Sequence, residues 1–481
     1  MKLILTSILS LTIGFNCLAQ SNNNKSIDAL KNETAITIQS GYDAYKKIAL
    51  SIWDYVELGY KENKSSTLLQ NTLKDNGFTV EGGVAGMPTA FVAIYGSGSP
   101  VIAILAEYDA LPGISQDNSP TKTPIANKNS GHACGHHLFG TGSVAAGIAI
   151  KKLLETGKIK GTIKVFGCPA EEGGSGKVYM VREGLFNSVD VVLHWHPNEH
   201  NTVTYTSALA NKSAKFRFYG IASHASASPE QGRSALDAVE AMDNMVNMMR
   251  EHIPQETRIH YVITNGGKAP NVVPEFAEVY YYVRHPDRAM AVSVFDRIAK
   301  AAEGAALGTE TKMDYEIIGG THDLLINKTL AVNMQTNLEK AGGVMYTAAE
   351  NIFAKKIQTS FLGKFPSIDN ASVITPLHIE KNQGSTDVGD VSYTVPTVGV
   401  ETATWVPGTS AHSWQAVACG GTDIGIKGTM VASKTMAFTA IDLFTSPELI
   451  KKAKEEFIQS KGDYQYKALL GDRKPALNYR D

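Results

Sequence analysis

The 481-residue chain is poor in cysteine, in net charge and in long apolar runs. Its formal net charge of −2 gives no reason to expect a nucleic-acid partner. Beyond the N-terminal region no apolar run reaches ~18 residues, so we expect no membrane-spanning helix. After removal of a signal peptide three cysteines would remain: Cys134, Cys168 and Cys419. This odd number argues against a disulfide framework and suggests that at least one thiol has a chemical role.

The N-terminal 19 residues have the layout of a secretory signal peptide. Lys2 precedes an apolar run over residues 3–15, and small residues follow up to Ala19. This pattern predicts cleavage after Ala19 and export of the protein to the periplasm or the exterior. A buried N-terminal helix and a lipoprotein anchor through Cys17 are the alternatives.

The remaining chain is too long for one compact core, so we expect two domains. Strand-like apolar runs alternate with a helical pattern at residues 141–155, which indicates an α/β fold with a largely parallel sheet. The predicted strands of this part are Ala90–Tyr95, Val101–Ala106, Thr162–Cys168 and Val189–Trp195.

The pattern changes near residue 211, where strands and helices follow in the order βαββαβ. The first predicted helix, Ser234 to Ile253, places apolar residues on one face, and Ser234 with Asp237 resembles a capping box. Such an order closes into a small ferredoxin-like α+β unit with its own core. We therefore expect a smaller domain of ~100 residues inserted into the larger one.

The expected organisation is a signal peptide at 1–19, a flexible leader at 20–33, a larger domain at 34–210 and 321–445, the smaller inserted domain at 211–320, and a C-terminal extension at 446–481.

The strongest chemical signal is the run Gly131-His132-Ala133-Cys134-Gly135-His136-His137. A thiolate and an imidazole two residues apart on a Gly-containing loop can converge on one metal ion, and both suit zinc-like ions. A buried cysteine beside ordinary loop histidines is the alternative.

Two adjacent carboxylates, Glu171 and Glu172, follow the predicted strand Thr162–Cys168. Catalytic groups of α/β sheets gather at the carboxyl ends of strands. One carboxylate can bind metal while the other transfers a proton between a water molecule and the leaving amine. A solvated acidic turn is the alternative.

Three further residues fit the same edge of the sheet. His194 and His196 point to opposite faces of an extended strand, and we choose His196 as the metal ligand because it lies nearer the strand end. His194 is then a core residue. Asp109, which follows the strand Val101–Ala106, is placed to orient a ligand histidine, although a strand-ending turn is an equal alternative. His412 lies in a late loop and is weak evidence by itself.

Seven motifs in order, AEYDALPG, GHACGHHLFG, CPAEEGG, HWHP, ASHASASP, PNVVPEFAE and GSTDVGDVSY with AHSW, resemble the co-catalytic-metal aminoacylase/carboxypeptidase family. Within it the chain looks most like the amidohydrolase branch of p-aminobenzoyl-glutamate and indole-acetyl-amino-acid hydrolases. The resemblance covers nearly all of residues 40–445. It implies a metal-dependent amidohydrolase that cleaves acyl-amino acids, aminobenzoyl-glutamate-like substrates or dipeptides.

The resemblance also implies that the larger domain, at 34–210 and 321–445, is catalytic and that the inserted domain, at 211–320, is a lid through which a homodimer forms. It implies roles for individual residues as well. Two divalent ions are expected, zinc or manganese, with cobalt as a third option. Glu171 matches the general base, and His224 matches a lid histidine that reaches the partner subunit's site. Asn271 and Arg284 match lid positions that hold the substrate carboxylate. The matching metal-ligand positions are Cys134, which is the expected bridge, His136, Glu172, His196 and His412.

One residue departs from the family pattern. Relatives usually carry Asp or Asn after GHACGH, whereas this chain carries His137. Three alternatives are open for His137: it supports a ligand, it binds metal itself, or it alters the choice of metal. Two rival functions remain: a thiol hydrolase that uses Cys134 with His136, and an exported binding protein that retains the pocket without turnover.

Overall fold

The structure, a computed structural model, describes residues 25–379 and 384–480. The expected signal peptide at 1–19 lies outside these residues. In the described part of the chain, no helix is both long enough and apolar enough to cross a membrane.

The helices are α1 (residues 25–40 as described), α2 Tyr42–Tyr55, α3 Asn63–Asp75, α4 His136–Glu155, α5 Gly176–Arg182, α6 Ala235–Met249, α7 Arg288–Gly308, α8 Lys328–Ala341, α9 Ala348–Gln358, α10 Val388–Ser392, α11 Trp414–Gly420, α12 Asp423–Thr445 and α13 Pro447–Lys461. The strands are β1 Thr79–Gly82, β2 Phe91–Ser97, β3 Val101–Ala106, β4 Leu111–Pro112, β5 Ser130–Gly131, β6 Gly161–Gly167, β7 Val191–Asn198, β8 Thr202–Thr204, β9 Ala210–Tyr219, β10 Arg258–Asn265, β11 Phe276–His285, β12 Lys312–Thr321 and β13 Thr397–Ala403.

The larger sheet has seven strands in the order β1-β2-β6-β3-β7-β13-β8. Its four central strands, β6, β3, β7 and β13, are parallel, and the strands outside them are antiparallel. Along β3, Ile102 and Ile104 join the core that includes α4 and α12, whereas Ala103 and Leu105 join a second core on the other face. Both faces of the parallel strands are therefore buried, as continuous apolar runs require. The predicted α/β architecture is confirmed.

The smaller sheet has four antiparallel strands in the order β10-β11-β9-β12, with α6 and α7 packed on it around a separate core. The predicted βαββαβ order is confirmed. The Ser234 side chain accepts a hydrogen bond from the Asp237 backbone N–H at 3.1 Å, which caps α6. The helix ends at Met249, before the Ile253 expected from the apolar pattern, because a short 3-10 turn follows it.

The flexible leader predicted for residues 20–33 is wrong for residues 25–33, which are helical. Ile27 and Leu30 pack against the main core. The Lys31 ammonium lies 2.8 Å from the Asn337 amide oxygen and 2.6 Å from the Asp442 carboxylate. The polar composition of this segment concealed two apolar residues at helical spacing and one buried ion pair.

Helix α4 begins at His136, five residues before the expected start at 141. The first turns of α4 contain several glycines. Because glycine has low helix propensity, these glycines obscured the helical pattern in the sequence. These glycines are needed for close packing: a Cβ on Gly142 would lie 2.8 Å from the Trp195 ring.

Candidate metal centre

The side chains with metal-binding or proton-transfer chemistry gather at the carboxyl edge of the parallel strands, where α/β sheets place their ligands. Glu107 and Asp109 follow β3, and Glu171 and Glu172 follow β6. His196 lies near the end of β7, and His412 lies in the loop between β13 and α11. Cys134 lies in the loop before α4, and His136 is the first residue of that helix.

Two groups of potential ligands share one cysteine. The first comprises Cys134, His136 and His196, and the second comprises Cys134, Glu172 and His412; in each, the ligand atoms lie within 4.8 Å of one another. Cys134 Sγ is 3.5 Å from His196 Nε2, and His412 Nε2 is 3.1 Å from Glu172 Oε1. Since sulfur, nitrogen and carboxylate oxygen all bind zinc-like ions, this geometry suits two ions that share the Cys134 thiolate.

Two buried atoms of these groups make no hydrogen bond of good geometry among the described residues. They are His136 Nε2, which lies 3.2 Å from Glu107 Oε2, and Glu172 Oε1, which lies 3.1 Å from His412 Nε2. An unpartnered buried polar atom carries a desolvation cost. A cation between the side chains would give both atoms a partner. The residues present therefore fit divalent metal ions.

Asp109 connects the two groups. Its Oδ1 lies 2.8 Å from His136 Nδ1, and its Oδ2 accepts a hydrogen bond of 2.9 Å from the Glu172 backbone N–H. The hydrogen bond to Nδ1 leaves Nε2 of His136 free to act as a ligand. Asp109 is thus placed to orient two candidate ligands without being one itself.

The loops that carry these residues have unusual backbone conformations. Ala170 has φ +56° and His412 has φ +59°, a region that residues other than glycine seldom adopt. The His412 N–H donates to the Ala133 carbonyl at 2.9 Å, which ties its loop to the loop of Cys134. Non-glycine residues at positive φ often occur at functional sites, where the surrounding structure holds them.

A buried ion cluster that the sequence analysis missed lies directly behind the candidate ligands. Lys177 Nζ lies 2.6 Å from the Glu107 carboxylate and 2.6 Å from the Asp387 carboxylate, and the lysine side chain is 0% exposed. Glu107, His136 and Glu171 form a third group of ligand-type atoms within 4.8 Å. Burial, followed by the charges of Glu107 and Glu172, raises the pKa of Glu171 well above its usual value.

Part of this cluster had a sequence signal. Glu107 and Asp387 stand in the motifs AEYDALPG and GSTDVGDVSY, where only Asp109 was assigned a role. Lys177 had a weaker signal: it is the one charged residue in the apolar first turns of α5. Its pairing with two carboxylates depends on the tertiary fold.

His137 and His194 lie outside the candidate ligand groups. His137 Nε2 is 3.1 Å from the Gly420 carbonyl oxygen, and its ring packs on His132 at 4.9 Å between centroids. The His194 ring packs against Gly399 of the neighbouring strand. A Cβ added to Gly399 would lie 2.2 Å from the His194 ring. Burial lowers the pKa of both histidines to about 3, so both are neutral. His137 therefore packs the first turn of α4 against α11, outside the candidate ligand groups.

The structure does not bring the three lid candidates to the metal groups within one chain. His224 and Asn271 are exposed, and they lie next to each other, since Ala225 N donates to the Asn271 carbonyl at 3.0 Å. Arg284 lies on β11, where its Nε is buried without a hydrogen-bond partner among the described residues. Within the described part of the chain, none of the three forms a hydrogen bond or an ion pair with Cys134 or Glu172.

The thiol-hydrolase alternative disagrees with the surroundings of Cys134. Burial, followed by the Glu172 charge, raises the pKa of the Cys134 thiol well above its usual value. A nucleophilic cysteine needs a lowered pKa, because the thiolate is the reactive form. In the absence of a cation, the protein would keep this thiol protonated.

Comparison with known proteins identifies the family. Peptidase family M20/M25/M40 matches residues 103–361, which is more than half of the chain. The chain is 41% identical over 449 residues to one of the p-aminobenzoyl-glutamate hydrolase subunits of Escherichia coli, covering 88% of this chain and 93% of that protein. It is 29% identical to the mouse Xaa-Arg dipeptidase, covering 90% and 93%.

A solved structure shares the fold. The aminobenzoyl-glutamate utilization protein of Klebsiella pneumoniae superposes with a TM-score of 0.60 at 17% identity, covering 84% of this chain and 97% of that one. The chain belongs to the M20/M25/M40 peptidases and is a metal-dependent amidohydrolase.

Proposed function

We propose that this M20/M25/M40 chain hydrolyses an amide bond next to a free carboxylate, in p-aminobenzoyl-glutamate, an N-acyl amino acid or a dipeptide. The observation that carries the proposal is the pair of ligand groups sharing Cys134, beside the half-buried Glu171. The named activities of the Escherichia coli and mouse relatives fall within this substrate class.

The proposed ligands are Cys134, His136 and His196 for one ion and Cys134, Glu172 and His412 for the other. Zinc agrees with the thiolate and imidazole ligands, and manganese or cobalt would also accept the carboxylate. Bound divalent ions supply a water molecule of lowered pKa and polarise the amide carbonyl.

Glu171 acts as the general base in this proposal. Its raised pKa suits a group that accepts a proton from the attacking water and returns it to the amide nitrogen. Lys177 and Glu107 lie behind Glu171 and keep that wall of the site charged and rigid, since Lys177 is held at 2.6 Å by two carboxylates. Asp109 keeps His136 and Glu172 in their orientations.

The lid supplies the remaining groups. Arg284 presents a planar donor fork suited to a substrate carboxylate, and Asn271 provides a second donor. His224 stabilises the carbonyl oxygen as negative charge develops on it. His224 and Asn271 are exposed, and among the described residues neither bonds to the ligand groups of its own chain. We therefore propose that they act in the site of a partner subunit in a homodimer.

The proposal includes export of the mature protein. Its support is the signal-like layout of residues 1–19. Expression of the full chain in a Gram-negative host, followed by N-terminal sequencing of the periplasmic product, should give Gln20 as the first residue. An uncleaved N terminus in the cytosolic fraction would contradict export.

The substrate proposal is tested with p-aminobenzoyl-glutamate, N-acetyl amino acids, dipeptides and the carboxamide form of each. The protein is loaded with Zn²⁺ or Mn²⁺ and assayed with and without a chelator. We expect amine release from carboxylates only, ending on chelation. Arg284→Ala should raise KM for the carboxylates. Equal cleavage of carboxamides would contradict carboxylate recognition, and binding without turnover in the loaded protein would favour a binding function.

A further inference from the structure

Residues 462–480, here called the strap segment, follow α13 and run from the lid connection to the candidate metal centre. The segment begins at the second connection between the domains, where Tyr464 Oη lies 2.8 Å from His322 Nε2. Tyr466 Oη donates to Asp390 at 2.8 Å, and Asp390 also holds His322 Nδ1 at 2.8 Å. The first part of the strap segment is thus bound to a fully buried histidine between lid and catalytic domain.

The middle of the strap segment is fixed on both sides. Arg473 Nη1 donates to the carbonyl of Ile318, on the lid strand β12, at 2.6 Å. Arg182 of α5 donates to the carbonyls of Gly471 at 3.1 Å and of Arg473 at 2.7 Å. Because lid strand and catalytic helix both hold it, this part of the segment has little freedom to move.

The end of the strap segment contacts the loop that carries Glu171 and the candidate ligand Glu172. Tyr479 Oη donates to the Glu172 carbonyl oxygen at 3.2 Å, and Arg480 Nη2 donates to the same oxygen at 2.5 Å. The Arg480 guanidinium lies 4.8 Å from the centre of the Tyr479 ring. The Tyr479 ring in turn packs edge-on against Tyr60 at 5.6 Å.

The backbone of Glu172 is consequently held at both of its polar groups. Asp109 accepts from its N–H at 2.9 Å, and the strap segment donates twice to its carbonyl. Around it, Tyr60 Oη donates to the Gly174 carbonyl at 2.7 Å. A ligand side chain points in a fixed direction only when its backbone and its supporting groups are fixed.

We infer that the strap segment is a positioning element for the metal centre, and that Tyr479 and Arg480 are positioning residues for Glu172. The inference rests on the proposed function in one respect, namely that Glu172 binds a metal ion. Neither residue is a catalytic residue, since both act on the carbonyl of Glu172 and leave its carboxylate to the ion.

The test uses the full mature chain and the double variant Tyr479→Phe with Arg480→Ala. The matched control is Lys474→Ala, which removes a basic side chain from the same segment. Zn²⁺ binding to the metal-free proteins is titrated against a chromophoric chelator, and kcat, KM and Tm are measured in parallel. We expect one of two Zn²⁺ ions to bind ~10–100-fold more weakly in the double variant, as for lost supporting groups elsewhere.

The expected kinetic result is a fall in kcat with a smaller change in KM, because substrate contacts are intact. A variant with Arg480→Lys in place of Arg480→Ala keeps a donor group at this position. It should bind Zn²⁺ more tightly than the double variant. Unchanged Zn²⁺ affinity in the double variant would overturn the inference, whether or not Tm falls, since a merely stabilising segment lowers Tm alone. An inactive wild-type protein that binds two Zn²⁺ ions would contradict the proposed function, while the titration would still decide the role of the strap segment.

Discussion

The candidate metal centre and the lid differ in how completely one chain builds them. At the metal centre, Cys134 belongs to two ligand groups, and Asp109 links His136 to Glu172 through bonds of 2.8 and 2.9 Å. In the lid, His224 and Asn271 are exposed, and their segments are joined to each other. Under the proposed function, one chain organises ion binding, and His224 and Asn271 complete substrate recognition in the site of a partner subunit.

The largest expected effect comes from Glu171→Gln, which removes the proton acceptor and keeps the side-chain shape. Turnover should fall ~10²–10⁴-fold, the usual contribution of a general base. Bound metal, measured by elemental analysis, should stay at the wild-type level. Glu183→Gln, on the same domain, is the matched control. A variant that keeps its turnover would remove Glu171 from the mechanism.

Lys177→Met tests the part of the comparison that concerns the metal centre. Without the ammonium, Glu107 and Asp387 face each other across a buried site, and breaking such a pair costs ~3–5 kcal/mol. We expect urea unfolding to show this loss in the free energy of unfolding. The control is Lys451→Met, whose exposed pair with Glu455 at 4.0 Å should contribute less than ~0.5 kcal/mol. Equal losses of unfolding free energy in the two variants would show that the buried cluster stabilises the fold no more than an exposed ion pair does.

His224→Ala tests the part of the comparison that concerns the lid. Turnover should fall ~10²–10³-fold, as for other lost oxyanion-hole donors, and bound metal should not change. The His224→Ala and Glu171→Gln chains are then unfolded, mixed in equal amounts and refolded. Half of the resulting dimers should be hybrids, and each hybrid has one site with both native residues. The mixture should therefore regain about a quarter of wild-type activity. A mixture no more active than its two components would show that His224 serves its own chain.

The smallest effect is expected at His200, a half-buried residue four positions beyond His196. Burial lowers its pKa, but Glu199 and Glu401 outweigh it and raise the pKa to about 10. Because the folded pKa exceeds the unfolded one, the stabilisation is complete below pH ~6.5 and is lost as pH rises through 10. The Tm gap between wild type and His200→Gln should therefore shrink from pH 6 to pH 10. A constant gap would contradict the ion pair.

Much of the fold was predictable because apolar periodicity marks buried strands directly. The strand Val101–Ala106 was predicted residue for residue, and β6 and β7 lie within one to three residues of their expected ends. Helix α4 and residues 25–33 were harder, because glycines and polar side chains mask helical patterns that tertiary packing completes.

The site was predictable where a motif names the chemistry and unpredictable where the fold alone makes a contact. The ligand types at Cys134, His136 and Glu172 could be chosen from their motifs. The pairing of Lys177 with Asp387 joins residues 210 positions apart, and the bond of Arg480 to Glu172 joins residues 308 apart. No local pattern records such separations.

Metal stoichiometry tests the central claim most directly, because that claim is a two-ion centre sharing Cys134. Metal-free wild type and Cys134→Ser should be reloaded with Zn²⁺, freed of excess metal and analysed for zinc per chain. The shared-thiolate geometry predicts two ions in the wild type and at most one in the variant. An active wild type that holds a single ion, or a variant that still holds two with unchanged affinity, would contradict it.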